Sequence, residues 1–173
     1  VEAEAILSKL TRYFVTDRIF FITTITHGRQ HNLMDKFDEL YDTITSISGE
    51  ANEELVAWVL LPEHFHIILD TREANISKVM KRMKLRFSYR YRREKGLYRA
   101  AIWQRRFWDH VIRDQEDLNR HIDYIHYNPV KHGYVTKPIE WEFSSFREYA
   151  AQGYCPPDWG TSGIDEIDGA FGE

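Results

Sequence analysis

The amino-acid sequence predicts an α+β fold, a split βαβ sandwich of the ferredoxin-like type. Its antiparallel sheet carries helices on one side, with one further helix appended. Apolar periodicity switches between strand and helix repeats in the order strand, helix, strand, strand, helix, strand, helix. Only Pro62-Glu63 separates the two middle strands, a gap that fits a hairpin turn and no helix. At 173 residues the chain is long enough for one real core, and it shows no internal repeat and no low-complexity linker.

The first strand is read over residues 18–26, where Ile19-Phe20-Phe21-Ile22-Thr23-Thr24-Ile25 is dense in β-branched and aromatic side chains. Leu33, Phe37, Leu40, Tyr41 and Ile44 then recur at helical spacing, with Gly49 placed to stop the helix. Residues 55–61 form the second strand and the run from His64 to Asp70 the third. A long helix starts near Asn75, a plausible cap, carries Ile76, Met80, Met83 and Phe87 as its apolar stripe, and ends at Gly96. The fourth strand is read over residues 107–113. The acidic first turn Asp114 to Asp117 suits the start of the appended helix. Pro129 is expected to close that helix, leaving Asn128 at a fraying end. A short helix is expected near Ser144 to Tyr149. Residues 1–151 are expected to form a single domain, and residues 152–173, which lack Lys and Arg, an acidic peripheral tail.

Composition narrows the function. No apolar run approaches the roughly 20 residues of a membrane span. Val1-Glu2-Ala3-Glu4 lacks the basic start of a signal peptide, and the single Cys155 excludes an internal disulfide and a Cys-based zinc cluster. A reducing cytoplasm is the expected location. There is no P-loop and no dinucleotide-binding glycine pattern.

The formal net charge is −4, yet between Lys81 and Arg106 eleven lysines and arginines face one acid, Glu94. A block this basic in an otherwise acidic chain points to a polyanion. Phe87, Tyr89, Tyr91, Tyr98 and Trp103, interleaved with it, could stack on unpaired bases. Arg82, Arg86, Arg90, Arg93, Trp103, Arg105 and Arg106 are the candidate nucleic-acid contacts. A charged helix face kept for solubility is the plain alternative.

Chemistry concentrates in His64-Phe65-His66. Alternate strand residues share a face, so the two imidazoles emerge together and could grip one metal ion or one phosphate. Downstream, Tyr124 and Asn128 lie four apart on the appended helix and also share a face. If that face packs over the histidine strand, two imidazoles, an amide oxygen and a phenol meet. A divalent ion on His64, His66 and Asn128 would keep positions open for phosphate oxygens, and Tyr124 could attack phosphorus in line. His121 shares the tyrosine's face and could support the ligands, although a solvated or capping histidine is the simpler reading.

His64-Phe65-His66, the run from Trp103 to Arg113, and Tyr124-Ile125-His126-Tyr127-Asn128-Pro129-Val130 together resemble the single-tyrosine HUH transposases. Within that superfamily they most resemble the REP-associated tyrosine transposases of bacteria, from the first strand to Asp158-Trp159-Gly160. The resemblance implies a ferredoxin-like fold, Mg²⁺ or Mn²⁺ as cofactor, and cleavage and joining of single-stranded DNA next to hairpins through a 5′-phosphotyrosine. It implies Tyr124 as nucleophile and His64, His66 and Asn128 as ligands, and a monomer rather than an obligate dimer. Glu63 departs from the Asn that relatives often carry there, so a carboxylate stands where it could join or disturb the metal site. Two other function classes stay open at this point. One is a domesticated hairpin-DNA-binding protein without turnover; the other is a metal hydrolase of small phosphates, which leaves the basic block unexplained.

Overall fold

A computed structural model of the protein describes residues 18–50, 53–72, 75–161 and 171–172. The N-terminal residues read for a signal peptide, and residues 162–170 and 173 of the acidic tail, lie outside these. The described chain runs β1 (Ile19–Ile25), α1 (Phe37–Glu50), β2 (Glu54–Leu60), β3 (His64–Asp70), α2 (Ile76–Lys95), β4 (Trp108–Val111), α3 (Gln115–Lys131) and α4 (Phe146–Ala151). The sheet order is β2-β3-β1-β4, with every neighbouring pair antiparallel. This is the split βαβ arrangement expected from the order of elements.

Strand alternation divides the side chains of β3 between two cores. Phe65, Ile67 and Leu69 join Ile22, Trp58 and Leu60 on the face covered by α1 and α2. Ile68 joins Ile19, Phe21 and Val59 on the other face, against Leu118, Ile122 and Ile125 of α3. The appended helix therefore covers the face from which His64 and His66 project. All seven residues of β3 are buried, because strands on both sides and helices on both faces enclose it.

Helix ends follow local chemistry. Asn75 caps α2 by accepting from the Lys78 N–H at 3.1 Å, and Gly96 ends it with φ of 65°, a left-handed turn that suits glycine. Asp114 caps α3 through the Asp117 N–H at 2.8 Å. Pro129 does not close α3, contrary to expectation. The helix runs on to Lys131 with Pro129 inside its last turn, and Asn128 is fully buried rather than frayed. Pro129 forfeits its own bond to the Ile125 carbonyl but leaves the turn beyond it intact: His132 N–H still donates to the Asn128 carbonyl at 3.0 Å.

His126, in the same motif, has a structural explanation. Its Nε2 lies 2.9 Å from Ser145 Oγ, which also accepts from the Trp58 N–H at 3.0 Å. Residues 144–145 thus bridge α3 to the outer strand β2, and burial pushes the His126 imidazole down to about 3, keeping it neutral.

Candidate active site

His64 and His66 stand on one face of β3, fully buried, with ring centroids 4.8 Å apart. The state of each ring follows from its neighbours. Antiparallel pairing sets Thr23 of β1 opposite His66, and Thr23 Oγ1 lies 2.8 Å from His66 Nδ1. The single hydroxyl proton of Thr23 goes to the Phe171 carbonyl at 2.5 Å, so the hydroxyl accepts from an Nδ1–H on His66. His64 Nδ1 lies 2.9 Å from Glu63 Oε1. Burial alone would raise the Glu63 carboxyl, but the hydrogen bonds it takes from His64 and the Tyr134 hydroxyl outweigh it and hold it below the usual carboxylate range. An ionised carboxylate only accepts, so His64 also carries its proton on Nδ1. Both rings are left with a lone pair on Nε2, the form in which a neutral histidine ligates a metal.

On α3, Tyr124 reaches the same place. It is 3% exposed, and its ring centroid lies 5.3 Å from that of His66 at a near-perpendicular 76°. Lys131, two turns on, donates from Nζ to the Tyr124 hydroxyl at 3.0 Å. Asn128 is one turn beyond Tyr124 on the same helix and fully buried. The two imidazoles, the amide and the phenol predicted from spacing are thus carried by facing elements of one chain. As donors, two imidazole nitrogens and an amide oxygen form a neutral mixed set that suits a divalent first-row ion and tolerates Mg²⁺.

A second cluster lies at the start of α3. His110, Asp117 and His121 bring ligand atoms within 4.8 Å of one another. The Asp117 carboxylate at its centre is already engaged. Asp117 Oδ2 accepts from His110 Nε2 at 2.8 Å and from the Arg113 N–H and Nε, while Oδ1 accepts from Arg120. Burial opposes ionisation of Asp117, but these bonds hold its carboxyl well below the usual range. His121 gives Nδ1–H to the Asp117 carbonyl at 2.7 Å and stacks on His110. With two guanidinium groups on one carboxylate, the cluster reads as an ion-pair network that fixes the first turn of α3. The His121 ring also lies 5.2 Å from that of Phe171, and burial lowers its pKa.

The basic segment divides into two groups. Arg82 and Arg86 pair with Glu50 of α1, and Arg90 and Arg93 line a shallow cleft with Glu39 and Glu94. On the opposite flank Lys84 donates to the Gln104 carbonyl at 2.6 Å and Arg92 to the Ala100 carbonyl at 2.8 Å, holding the 97–106 loop against α2. Arg105 and Arg106 on that loop are exposed. Trp103, predicted to stack on bases, is instead a core residue, 8% exposed and packed on Phe65 and Phe87. Ile102 beside it is buried too, and the pair anchors the loop to the sheet, where Trp103 bridges to Thr26. Phe87 and Tyr91 are core as well, whereas Tyr89 and Tyr98 stand exposed.

Several residues at the site had not been singled out from sequence. Lys131 shares the helix face of Tyr124 seven residues earlier, a legible spacing. Thr23 and Tyr134 reach the site only through strand register and the turn after α3. Phe171 had no signal at all, yet its ring lies flat on Tyr124, centroids 3.6 Å apart and planes 9° apart.

Comparison with known proteins places this architecture. Residues 16–128, ending at Asn128, match the family described as Transposase IS200 like. The chain belongs to that family, and it is a transposase. A REP-associated tyrosine transposase of Escherichia coli (strain K12) is 35% identical over 159 residues, covering 88% of this chain and 91% of its own. A Haemophilus influenzae protein is 34% identical over 165 residues, 89% of this chain and 94% of its own. The solved structure of a REP-associated tyrosine transposase bound to a REP hairpin superposes with a TM-score of 0.77 at 32% identity, covering 94% of each chain. Within the family the chain therefore groups with the REP-associated tyrosine transposases.

Proposed function

We propose that the protein nicks and rejoins single-stranded DNA next to hairpins, with Tyr124 as nucleophile and His64, His66 and Asn128 holding Mg²⁺ or Mn²⁺. The observation that carries this reading is the meeting of two Nε2-presenting histidines with a phenol held by Lys131. Such a cation supplies Lewis-acid polarisation of the scissile phosphate and offsets charge in the transition state. Tyr124 loses its proton and its oxygen bonds to phosphorus; the bond from phosphorus to the 3′-oxygen breaks, and that oxygen leaves as a hydroxyl. Lys131 Nζ orients the phenol oxygen for this attack. The 5′-phosphotyrosine keeps the phosphodiester's energy, so a 3′-hydroxyl can reverse the step and join strands.

The hairpin partner is taken from the REP-hairpin-bound relative and from the exposed Tyr98, Arg105 and Arg106 of the 97–106 loop. In this reading residues 1–151 act as one domain and 152–173 as an appendage to it. Supply of all four site residues by a single chain supports action as a monomer. One observation favours a second reading, hairpin binding without turnover: Tyr124 is covered by Phe171. A labelled hairpin with Mn²⁺, with and without chelator, separates the two. Tyr124→Phe is expected to bind the hairpin as wild type does and to form no covalent adduct on denaturing gels. An adduct of normal yield from that variant removes the nucleophile assignment, and binding without metal-dependent cleavage by wild type supports the second reading.

A further inference from the structure

We propose that Glu63 and Tyr134 form a clamp that fixes which nitrogen His64 presents and ties the histidine strand to the helix bearing Tyr124. This rests on the metal-site reading above. Glu63 is a positioning residue here, acting through His64.

The Glu63 side chain is 9% exposed. Oε1 lies 2.9 Å from His64 Nδ1, Oε2 accepts from the Tyr134 hydroxyl at 3.1 Å, and His31 Nε2 stands 3.7 Å from Oε2. A carboxylate this buried is costly unless hydrogen-bonded, and the two close donors supply those bonds. Its placement is rigid. The Glu63 carbonyl accepts from both the N–H and the hydroxyl of Thr26, at 2.8 and 2.9 Å, and the Leu33 N–H reaches the Pro62 carbonyl at 3.1 Å. The turn before β3 is held by two neighbouring segments.

The other end is held as firmly. Tyr134 follows α3, its N–H donating to the Pro129 carbonyl at 2.9 Å and its ring stacking on Trp141 at 5.4 Å. The Tyr134–Glu63 bond therefore runs from the end of the helix with Tyr124 and Asn128 to the start of the strand with His64 and His66. One bond sets the tautomer of a ligand and the next sets the distance between the two halves of the site. Without the carboxylate, His64 can place its proton on Nε2 and turn a donor toward the cation. His66 is insulated from this, since Thr23 fixes its ring independently.

The test uses the full-length protein without DNA at pH 8. Two-bond ¹⁵N–¹H spectra of the imidazoles report tautomers in the metal-free protein, and the electron paramagnetic resonance of free Mn²⁺ reports affinity. In wild type His64 and His66 are both expected as Nδ1–H. E63A is expected to shift His64 toward Nε2–H, leave His66 unchanged and weaken Mn²⁺ binding roughly 10–100-fold. E63Q, whose amide oxygen accepts the same N–H, restores the tautomer and most of the affinity. Y134F keeps the tautomer and weakens Mn²⁺ severalfold. The clamp is overturned by Nε2–H at His64 in wild type, or by E63A matching wild type in tautomer and affinity. If E63A does not fold, Y134F decides: Mn²⁺ affinity equal to wild type overturns the clamp. Failure of the site reading looks different. Wild type then binds no Mn²⁺ although His64 is Nδ1–H, and the clamp's role toward a cation falls with it.

Discussion

Tyr124 is only 3% exposed, so a phosphodiester cannot reach its oxygen until something moves, and Phe171 is the residue stacked on it. The strength of that cover follows from its contacts. The Phe171 ring is 7% exposed and also meets Phe21 and His121 edge-on, at 5.9 and 5.2 Å. Burying a phenylalanine side chain is worth about 1.5–3 kcal/mol. The stack adds about 0.5–1.5 kcal/mol. A cover of roughly 2–4 kcal/mol leaves Tyr124 open in about one molecule in 30 to 1,000, at about 1.4 kcal/mol per factor of ten. Because the open fraction multiplies the rate whatever step follows, Phe171→Ala should speed adduct formation. The alanine keeps the carbonyl that accepts from Thr23, so part of the cover persists, and a gain of roughly 10–100-fold is expected. The assay is the initial rate of covalent adduct on a saturating REP-like hairpin with Mn²⁺, with hairpin affinity measured in parallel. An F171A rate equal to or below that of wild type, at unchanged affinity, refutes the reasoning, because Phe171 would then be no barrier to Tyr124.

Two further predictions concern stability and DNA binding. Burial raises the Glu53 carboxyl to about 7, so the folded state binds a proton that the unfolded chain has released, and stability falls as pH rises from about 4.5 to about 7. Glu53→Gln should therefore leave Tm unchanged at pH 4 and raise it at pH 8, by on the order of 2 kcal/mol of stability; equal effects at both pH values would exclude this cause. On the DNA side, Tyr98→Ala should weaken hairpin binding roughly 5–100-fold by fluorescence anisotropy, as loss of one base–aromatic stack does. Arg82→Gln, whose guanidinium is engaged by Glu50, should change it by less than about twofold; comparable losses in the two variants would mean that the flank facing α1 also meets DNA.

What was legible in the sequence is what spacing alone places. His64 and His66 share a face because strands repeat every two residues, and Tyr124 and Asn128 do so because helices repeat every 3.6. Neither inference needs tertiary contacts, so each pair and the ferredoxin-like fold could be read from spacing. The meeting of the pairs depended on packing, and their proposed roles on the family resemblance. The proline rule failed at Asn128 because it is a statement about local backbone preference, and packing of α3 over the sheet outweighs it. Trp103 failed for a related reason. Composition marks an aromatic among arginines as a stacking platform, but only the tertiary contacts with Phe65 and Phe87 decide whether its ring faces solvent.

The residues that finish the site belong to a different category. Thr23 meets His66 through strand register, Tyr134 meets Glu63 across 71 positions, and Phe171 meets Thr23 across 148. No periodicity links such pairs. Glu63 shows the consequence most clearly. Read beside His64 alone, a carboxylate next to a metal ligand is ambiguous between a further ligand and an intruder. With both oxygens committed, one to His64 Nδ1 and one to the Tyr134 hydroxyl, its remaining effect on a cation is through the imidazole it orients. The geometry of the proposed site is therefore set twice: once by candidate ligands that spacing aligns within one strand and within one helix, and again by partners from β1, from the turn after α3 and from Phe171. Those partners decide which nitrogen points inward and when the phenol is uncovered.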